Sequence, residues 1–261
     1  MKTDMPGILF DLDGVLYNGE VAVDGAAEAV AWVRGRGIPL LFVTNTTSRG
    51  AGEIAAKLTR FGIPASAEEI WTPARAAVQW LAGRPRGPLA LFVPAKTHPE
   101  FAGFEVVETE SAADYVVVGD FGSGWTFASL NRAFRLLHSN PGATLIALGM
   151  TRYWQAPDGP RLDTAPFVAA LECATGRRAL VLGKPSAEFF GAAVRRLGLP
   201  ASEVIMIGDD IRTDVEGAQA AGLKGVLART GKFRPSDLEE GIRPDDVIDS
   251  IADLPGVWER W

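Results

Sequence analysis

Short apolar segments alternate along this chain with segments whose apolar residues recur at helical spacing. Continuous apolar runs at 7–10, 39–43, 204–208 and 225–228 are typical of strands that are buried on both faces. After the run 39–43, residues 48–62 place Ile54, Leu58 and Phe61 on one helical face. This repeated β-α order predicts an α/β fold in which helices cover a parallel sheet.

The middle of the chain repeats the alternation and is bounded by two breaks. The segment 83–88 reads GRPRGP and the segment 174–178 reads ATGRR, and both are typical of junctions. We therefore predict a discontinuous core domain, 1–83 and 179–261, with residues 84–178 inserted into it. The apolar run within 178–185 is predicted to be a strand of the core.

Polar residues follow four of the predicted core strands at the point where each strand ends. In a parallel sheet these ends share one edge, where α/β proteins bind ligands. The residues concerned are Asp11 and Asp13 after the run 7–10, Thr44 and Asn45 after the run 39–43, Lys184 after the run within 178–185, and Asp209, Asp210 and Asp214 after the run 204–208.

Close carboxylates at this edge predict a cation. Asp11, Asp13 and Asp209 would repel one another unless a cation lies among them or one is protonated. A ligand set of oxygens with little nitrogen or sulfur suits Mg²⁺ rather than zinc. Lys184 cannot bind a metal, but it can hold phosphate or offset the carboxylates.

The same residues can carry phosphoryl chemistry. Thr44 and Asn45 supply a hydroxyl and backbone N–H groups for phosphate oxygens. One aspartate of the first strand can attack phosphorus, and the other can protonate the leaving oxygen and later activate water. Each motif also has a simpler interpretation, since Asp–Gly favours turns and Thr44 or Asp214 can cap a helix.

Composition narrows the function classes. The net charge of −6 lacks the basic excess that nucleic-acid binding needs, so no nucleic-acid partner is expected. A single cysteine, Cys173, rules out a disulfide framework and suits a cytoplasmic location; we expect it to be buried in a helix. No apolar run reaches about 18 residues, so no membrane association is expected.

Four motifs together resemble the haloacid dehalogenase (HAD) superfamily. They are DLDGVLY, FVTNTT, GKP and IGDDIRTD, in that order. Their spacing resembles subclass IIA, the NagD-like proteins. Phrases such as TGKFRPSD look closest to the branch that includes haloacid dehalogenase-like hydrolase domain-containing protein 2 and phospholysine phosphohistidine inorganic pyrophosphate phosphatase. The resemblance implies a Rossmann-like parallel sheet core with an inserted α/β cap domain of the C2 type. It also implies a phosphatase that acts through an aspartyl-phosphate.

The resemblance also assigns roles to individual residues. Asp11 would be nucleophile and metal ligand, and Asp13 would be the acid/base and bind the metal through its backbone carbonyl. Asp209 would complete the Mg²⁺ ligands. Thr44, Asn45 and Lys184 would bind the phosphoryl group. Asp214 and Asp210 would contact residues of the site rather than the metal or the substrate, Asp214 by pairing with Lys184.

The cap is expected to choose a small phosphorylated substrate. Similar proteins turn a loop of the cap toward the active site, and here residues 149–167 carry Arg152, Tyr153 and Asp163 in a stretch without periodicity. Where many NagD-like proteins have a Gly-rich PGxG, this chain has LDTAPF, so no relative's substrate transfers directly. A homodimer through the cap is a further expectation, with apolar contacts from Phe121, Trp125 and Phe127.

Two other functions remain open at this stage. A non-catalytic interaction protein could use the same scaffold, because a fold does not fix a function. A dehalogenase-type hydrolase would share the nucleophile, but such relatives lack an acid/base like Asp13 and need no metal, so Asp13 and Asp209 argue against it.

Overall fold

The computed structural model describes residues 6–109, 112–156, 158–239 and 241–261, which form two compact units. The first unit contains the described residues up to Thr44, together with Ala51–Trp71 and Lys184–Trp261. The second unit contains Asn45–Gly50 and Thr72–Gly183. The predicted insertion 84–178 lies within the second unit, which extends further at both ends.

The secondary structure alternates as the apolar pattern predicts. The strands are β1 Gly7–Asp11, β2 Tyr17–Asn18, β3 Val21–Ala22, β4 Leu40–Val43, β5 Ile70–Trp71, β6 Leu89–Phe92, β7 Tyr115–Val118, β8 Thr144–Ala147, β9 Tyr153–Ala156, β10 Gly159–Leu162, β11 Leu180–Val181, β12 Val204–Gly208, β13 Lys224–Ala228 and β14 Asp246–Ile248. The helices are α1 Ala26–Gly35, α2 Ala51–Arg60, α3 Pro73–Ala82, α4 Phe127–Ser139, α5 Thr164–Thr175, α6 Ala187–Leu197, α7 Gly217–Ala220 and α8 Leu254–Val257.

The first unit is built on a six-stranded sheet in which all neighbours are parallel, in the order β14-β13-β12-β1-β4-β5. Every residue of β1, β4 and β12 is buried, which explains their continuous apolar sequences. Phe10 of β1 packs against Phe42 of β4, with ring centroids 6.1 Å apart. Each such fully buried side chain contributes about 1.5–3 kcal/mol.

The helices of the first unit bury the faces that the sequence predicts. On α2, Ile54 and Leu58 are buried, and Phe61 packs against the core just beyond the helix. Ser186 begins α6 by accepting the backbone N–H of Glu188. Packing thus fixes α2 against the core, and the Ser186 cap fixes the residue at which α6 begins.

The second unit has its own four-stranded parallel sheet, in the order β11-β8-β7-β6. The prediction that the run within 178–185 is a core strand is therefore wrong. Leu180 and Val181 pair with Ile146 and Ala147 of β8. A two-residue strand contributes little pattern of its own, so its sheet is decided by the register of β8 rather than by its sequence.

The segment 149–167 contains an antiparallel hairpin that its sequence did not predict. Strands β9 and β10 pair Tyr153 with Leu162 and Trp154 with Arg161. All four of these side chains are exposed. Without a buried face there is no apolar alternation to read.

Cys173 is exposed rather than buried as expected. The buried face of α5 includes Val168 and Leu171. Cys173 lies five residues beyond Val168, which is nearly half a turn around the helix. The longest described helix, α4, has 13 residues, whereas a bilayer core takes about 20, so no described helix could span a membrane.

Candidate active site

Three of the predicted strand ends meet at one edge of the first unit's sheet. Strand β1 lies between β12 and β4, and its last residue, Asp11, is in register with Val43. Thr44 follows Val43 directly, and Asp209 follows the last residue of β12. Parallel neighbours in register therefore bring Asp11, Thr44 and Asp209 to adjacent positions.

These strand ends carry a buried ionic group of three carboxylates and one ammonium. Lys184 Nζ lies 2.6 Å from Asp11 Oδ1 and 2.7 Å from Asp214 Oδ1. One carboxylate oxygen from each of Asp11, Asp209 and Asp214 lies within 4.8 Å of the other two. All four residues are buried, with exposed fractions of 6% or less.

This excess of negative charge shifts the pKa values of the group. Burial, followed by repulsion from Asp11 and Asp214, raises the pKa of Asp209 to about 7. Burial raises the pKa of Asp214 to about 6, although Lys184 opposes the shift. Burial alone would lower the pKa of Lys184, but Asp11 and Asp214 together raise it above its ordinary value. The group therefore favours uptake of a proton or a cation.

Asp209 is held so that one oxygen is anchored and the other is not. Its Oδ2 accepts the backbone N–H of Lys232 at 2.7 Å. Gly14 (φ 99°) and Gly231 (φ 57°) lie directly against the carboxylate, and a Cβ on either residue would overlap Oδ2. Its Oδ1 is buried and has no hydrogen-bond partner among the described residues.

An unpartnered buried carboxylate oxygen beside a second carboxylate fits a hard cation. The residues that the sequence assigns to Mg²⁺ therefore suit that ion in their chemistry: oxygen donors with little nitrogen or sulfur, and more negative charge than Lys184 alone balances. Asp11, Asp209 and the backbone carbonyl of Asp13 are the residues that would hold it.

Asp13 stands apart from the buried group. Its side chain is exposed, and Leu12, between it and Asp11, is buried. Its Oδ1 accepts the backbone N–H of Gly19 at 3.2 Å. Asp13 therefore faces a short hairpin formed by β2 and β3, residues 17–22, which follows it in the chain.

Asp210 and Asp214 stabilise the loop after β12. Asp210 caps the turn Ile211–Glu216, because its Oδ1 accepts the backbone N–H groups of Arg212 and Thr213. Asp214 lies inside this turn, and its Oδ2 accepts the backbone N–H of Asp210 at 3.2 Å. The capping role considered for Asp214 thus belongs to Asp210.

Thr44 and Asn45 are consecutive in sequence but belong to different units. Thr44 is buried in the first unit, and its backbone N–H donates to the carbonyl of Trp71. Asn45 belongs to the second unit, where its Oδ1 lies so near Gly183 that a Cβ there would be 3.1 Å away. Glycine at 183 thus permits the close approach of Asn45.

The predicted cap residues are all in the second unit. Asp163 caps α5, where its Oδ1 accepts the backbone N–H of Thr164 at 2.6 Å, and its own N–H donates to the Arg152 carbonyl. Tyr153 is 59% exposed on β9. Of the residues named for a dimer contact, Trp125 stacks on Phe167 within the unit, whereas Phe127 is 85% exposed.

The residues predicted from the sequence do not include Asp120, a partly buried carboxylate two residues beyond the end of β7. Its backbone N–H donates to Oγ1 of Thr47 at 2.9 Å, and Thr47 lies two residues after Asn45 in the chain. Burial and the charge of Asp163 raise the pKa of Asp120. Its place beyond a strand end, in the motif VVVGD, is the signal that could have identified it.

Comparison with known proteins decides the family. A model for haloacid dehalogenase-like hydrolases matches residues 8–103, and a HAD-hydrolase-like model matches residues 181–254. Human phospholysine phosphohistidine inorganic pyrophosphate phosphatase is 37% identical over 95% of this chain and 92% of its own length. The chain belongs to the haloacid dehalogenase-like hydrolases. The predicted enzyme class within this family is confirmed by the same relative.

Two solved structures are similar to this chain over nearly its whole length. The p-nitrophenyl phosphatase from Archaeoglobus fulgidus has a TM-score of 0.89 and 29% identity, and covers 98% of this chain and 100% of its own. NagD from Escherichia coli K-12 has a TM-score of 0.86 and 26% identity, with 96% and 98% covered. The NagD-like subclass IIA and the Rossmann-like core with an inserted cap are thereby confirmed.

Proposed function

We propose that this chain is a Mg²⁺-dependent phosphatase that hydrolyses a small phosphorylated molecule through an aspartyl-phosphate on Asp11. The observation that carries the proposal is the buried group of Asp11, Lys184, Asp209 and Asp214, in which a carboxylate at a strand end is held beside an ammonium. The names of the relatives, a phosphatase of phosphoamides and pyrophosphate and a p-nitrophenyl phosphatase, support the same reaction type.

Asp11 would act as the nucleophile. Lys184 holds Oδ1 of Asp11 at 2.6 Å and so fixes the rotation of the carboxylate. A carboxylate oxygen of Asp11 would attack phosphorus, forming a P–O bond to Asp11 as the P–O bond to the leaving group breaks. Asp13 would give its proton to the departing oxygen.

The second step would reverse these roles. Asp13 would take a proton from water, and the resulting hydroxide would attack phosphorus as the bond to Asp11 breaks, which releases phosphate, frees the Asp11 carboxylate and returns Asp13 to its protonated form. Thr44, Asn45 and Lys184 would contact the phosphoryl oxygens during both steps, as the family resemblance assigns. Bound Mg²⁺ supplies positive charge that offsets the repulsion between the carboxylates and the phosphoryl oxygens.

The first test is hydrolysis of p-nitrophenyl phosphate at neutral pH, with Mg²⁺ and with chelator, by the wild type and by Asp11→Asn. We expect turnover that requires Mg²⁺ and that Asp11→Asn abolishes, because the amide is not a nucleophile. Asp249→Asn changes a carboxylate that is 81% exposed and serves as the matched control.

Two results would count against the proposal. Turnover that survives in Asp11→Asn would rule out an aspartyl-phosphate on Asp11. A folded wild type that binds Mg²⁺ but hydrolyses neither this probe nor a panel of phosphomonoesters, phosphoamides and pyrophosphate would favour the non-catalytic scaffold instead.

A further inference from the structure

Lys57 on helix α2 is a buried lysine, with only 5% of its surface exposed. Lysine is almost never fully buried unless its ammonium group is paired. Here Nζ donates to the backbone carbonyl of Gly19 at 2.6 Å and lies 3.1 Å from Glu20 Oε1. It also lies 4.1 Å from the ring centroid of Tyr17, a distance at which a cation is attracted to an aromatic face.

These three partners of Lys57 belong to the hairpin of residues 17–22, and Nζ also lies 5.8 Å from the ring centroid of Phe61. Its two strands have two residues each, and an isolated two-stranded hairpin is at best marginally stable in water. Its tip is exposed, and Val21 exposes 69% of its surface. The hairpin is therefore positioned by what it contacts, and Lys57 contacts it at both its aromatic base and its tip.

Gly19 connects Lys57 with Asp13. Its carbonyl accepts from Lys57, and its N–H donates to Asp13 Oδ1 at 3.2 Å. A second link runs from the hairpin to the loop of Asp13, since the N–H of Gly14 donates to the Tyr17 carbonyl at 2.7 Å. The side chain of Asp13 is exposed, so packing does not fix it.

We infer that Lys57 is a positioning residue for Asp13: it fixes Gly19 so that the Gly19 N–H holds the Asp13 carboxyl in the orientation for proton transfer. The inference rests on the proposed function, in which Asp13 protonates the leaving oxygen. Such transfer requires a donor held within hydrogen-bond reach of the oxygen that it protonates. A lysine 38 residues beyond Gly19 in the chain thus positions the acid/base.

The dependence of kcat/KM on the leaving group distinguishes a positioning role for Lys57 from a merely structural one. A p-nitrophenolate leaves with little help from an acid, whereas an alkoxide needs its proton. Lys57→Met removes the ammonium group and keeps an unbranched apolar chain. We expect kcat/KM to fall about 10- to 100-fold for an alkyl phosphate and less than about 3-fold for p-nitrophenyl phosphate, as misplacement of a general acid predicts.

Three further variants define the comparison. Lys57→Arg keeps the charge and should restore most of the activity toward the alkyl phosphate. Lys57→Met combined with Asp13→Asn should be no slower than Asp13→Asn alone. Lys224 also donates to a backbone carbonyl, that of Trp261 at 2.7 Å, but away from the hairpin, so Lys224→Met is the matched control and should leave both substrates unchanged.

The outcomes separate this inference from the proposed function. If Asp13→Asn shows the leaving-group dependence and Lys57→Met slows both substrates equally, or neither, Lys57 is only structural. If Lys57→Met does not fold, Lys57→Gln, which stays polar but is one atom shorter and so leaves the Gly19 carbonyl without its close donor, must show the same substrate difference or the inference is wrong. A wild type without phosphatase activity overturns both.

Discussion

Replacing Asp209 by asparagine should stabilise the metal-free protein while abolishing its proposed activity. Asp209 is fully buried, and burial together with the Asp11 and Asp214 carboxylates raises its pKa to about 7. In the unfolded chain the ordinary pKa is 3.8. The folded state therefore keeps its proton as the pH rises from 3.8 to about 7 while the unfolded state releases it, so the free energy of unfolding falls across this window.

The size of the effect follows from the two pKa values. A difference of about three pH units corresponds to about 4 kcal/mol at pH 8, where both states are ionised, and to about 2 kcal/mol at pH 5. Asparagine keeps the shape and can still accept the Lys232 N–H, but it does not ionise. A buried amide costs the same at both pH values, so the stability of the variant relative to the wild type should rise by about 2–3 kcal/mol from pH 5 to pH 8.

Urea unfolding in the presence of chelator measures this directly, because the seven tryptophans report unfolding by fluorescence. Adding Mg²⁺ at pH 8 should then stabilise the wild type but not Asp209→Asn. Asp249→Asn, at a surface carboxylate, should follow the wild type at both pH values. Parallel pH profiles for the wild type and Asp209→Asn would refute the reasoning.

Three further substitutions test other parts of the site. Lys184→Met leaves Asp11 and Asp214 buried without their ammonium partner, so it should cost about 3–5 kcal/mol of unfolding free energy at pH 8; a loss below about 1 kcal/mol would mean that the group is already neutralised by protons. Gly231→Ala puts a Cβ into the Asp209 carboxylate and should abolish turnover of p-nitrophenyl phosphate, whereas Gly37→Ala, also at positive φ but with nothing near its Cβ, should cost about 1–2 kcal/mol and keep turnover. Asp210→Ala removes the cap of the turn Ile211–Glu216 and should lower stability by about 1 kcal/mol in thermal unfolding, while Mg²⁺ affinity by calorimetry stays within about 3-fold of wild type; a larger loss of affinity would make Asp210 a ligand.

The sequence predicts most of the sheet because its central strands are buried on both faces. Strands β1, β4 and β12 are continuous apolar runs, and the residues that follow them are polar, so both the strand ends and the candidate site could be read directly. The prediction failed for β11, since a two-residue strand takes its sheet from tertiary register. The same limit applies to the exposed hairpin of β9 and β10.

Parts of the site that depend on contacts distant in sequence could not be predicted. Gly231 and Lys232 hold Asp209 from a loop more than twenty residues further along the chain, and nothing in their local sequence indicates this contact. Lys57 lies in an amphipathic helix, where a lysine is ordinarily solvent-exposed. Only the folded hairpin shows that its ammonium group is buried.

The arrangement of the six-stranded sheet also affects how the protein resists aggregation. Exposed sheet edges can recruit strands from other molecules, and short or charged edge strands suppress this. Here the edge strands are the shortest of the sheet: β5 has two residues, and β14 has three and begins at Asp246, between Asp245 and Asp249. The uncharged run Ile8–Phe10, whose side chains favour strands, is paired on both sides in the sheet interior. Solutions of the folded protein should therefore form few intermolecular sheets until unfolding exposes β1.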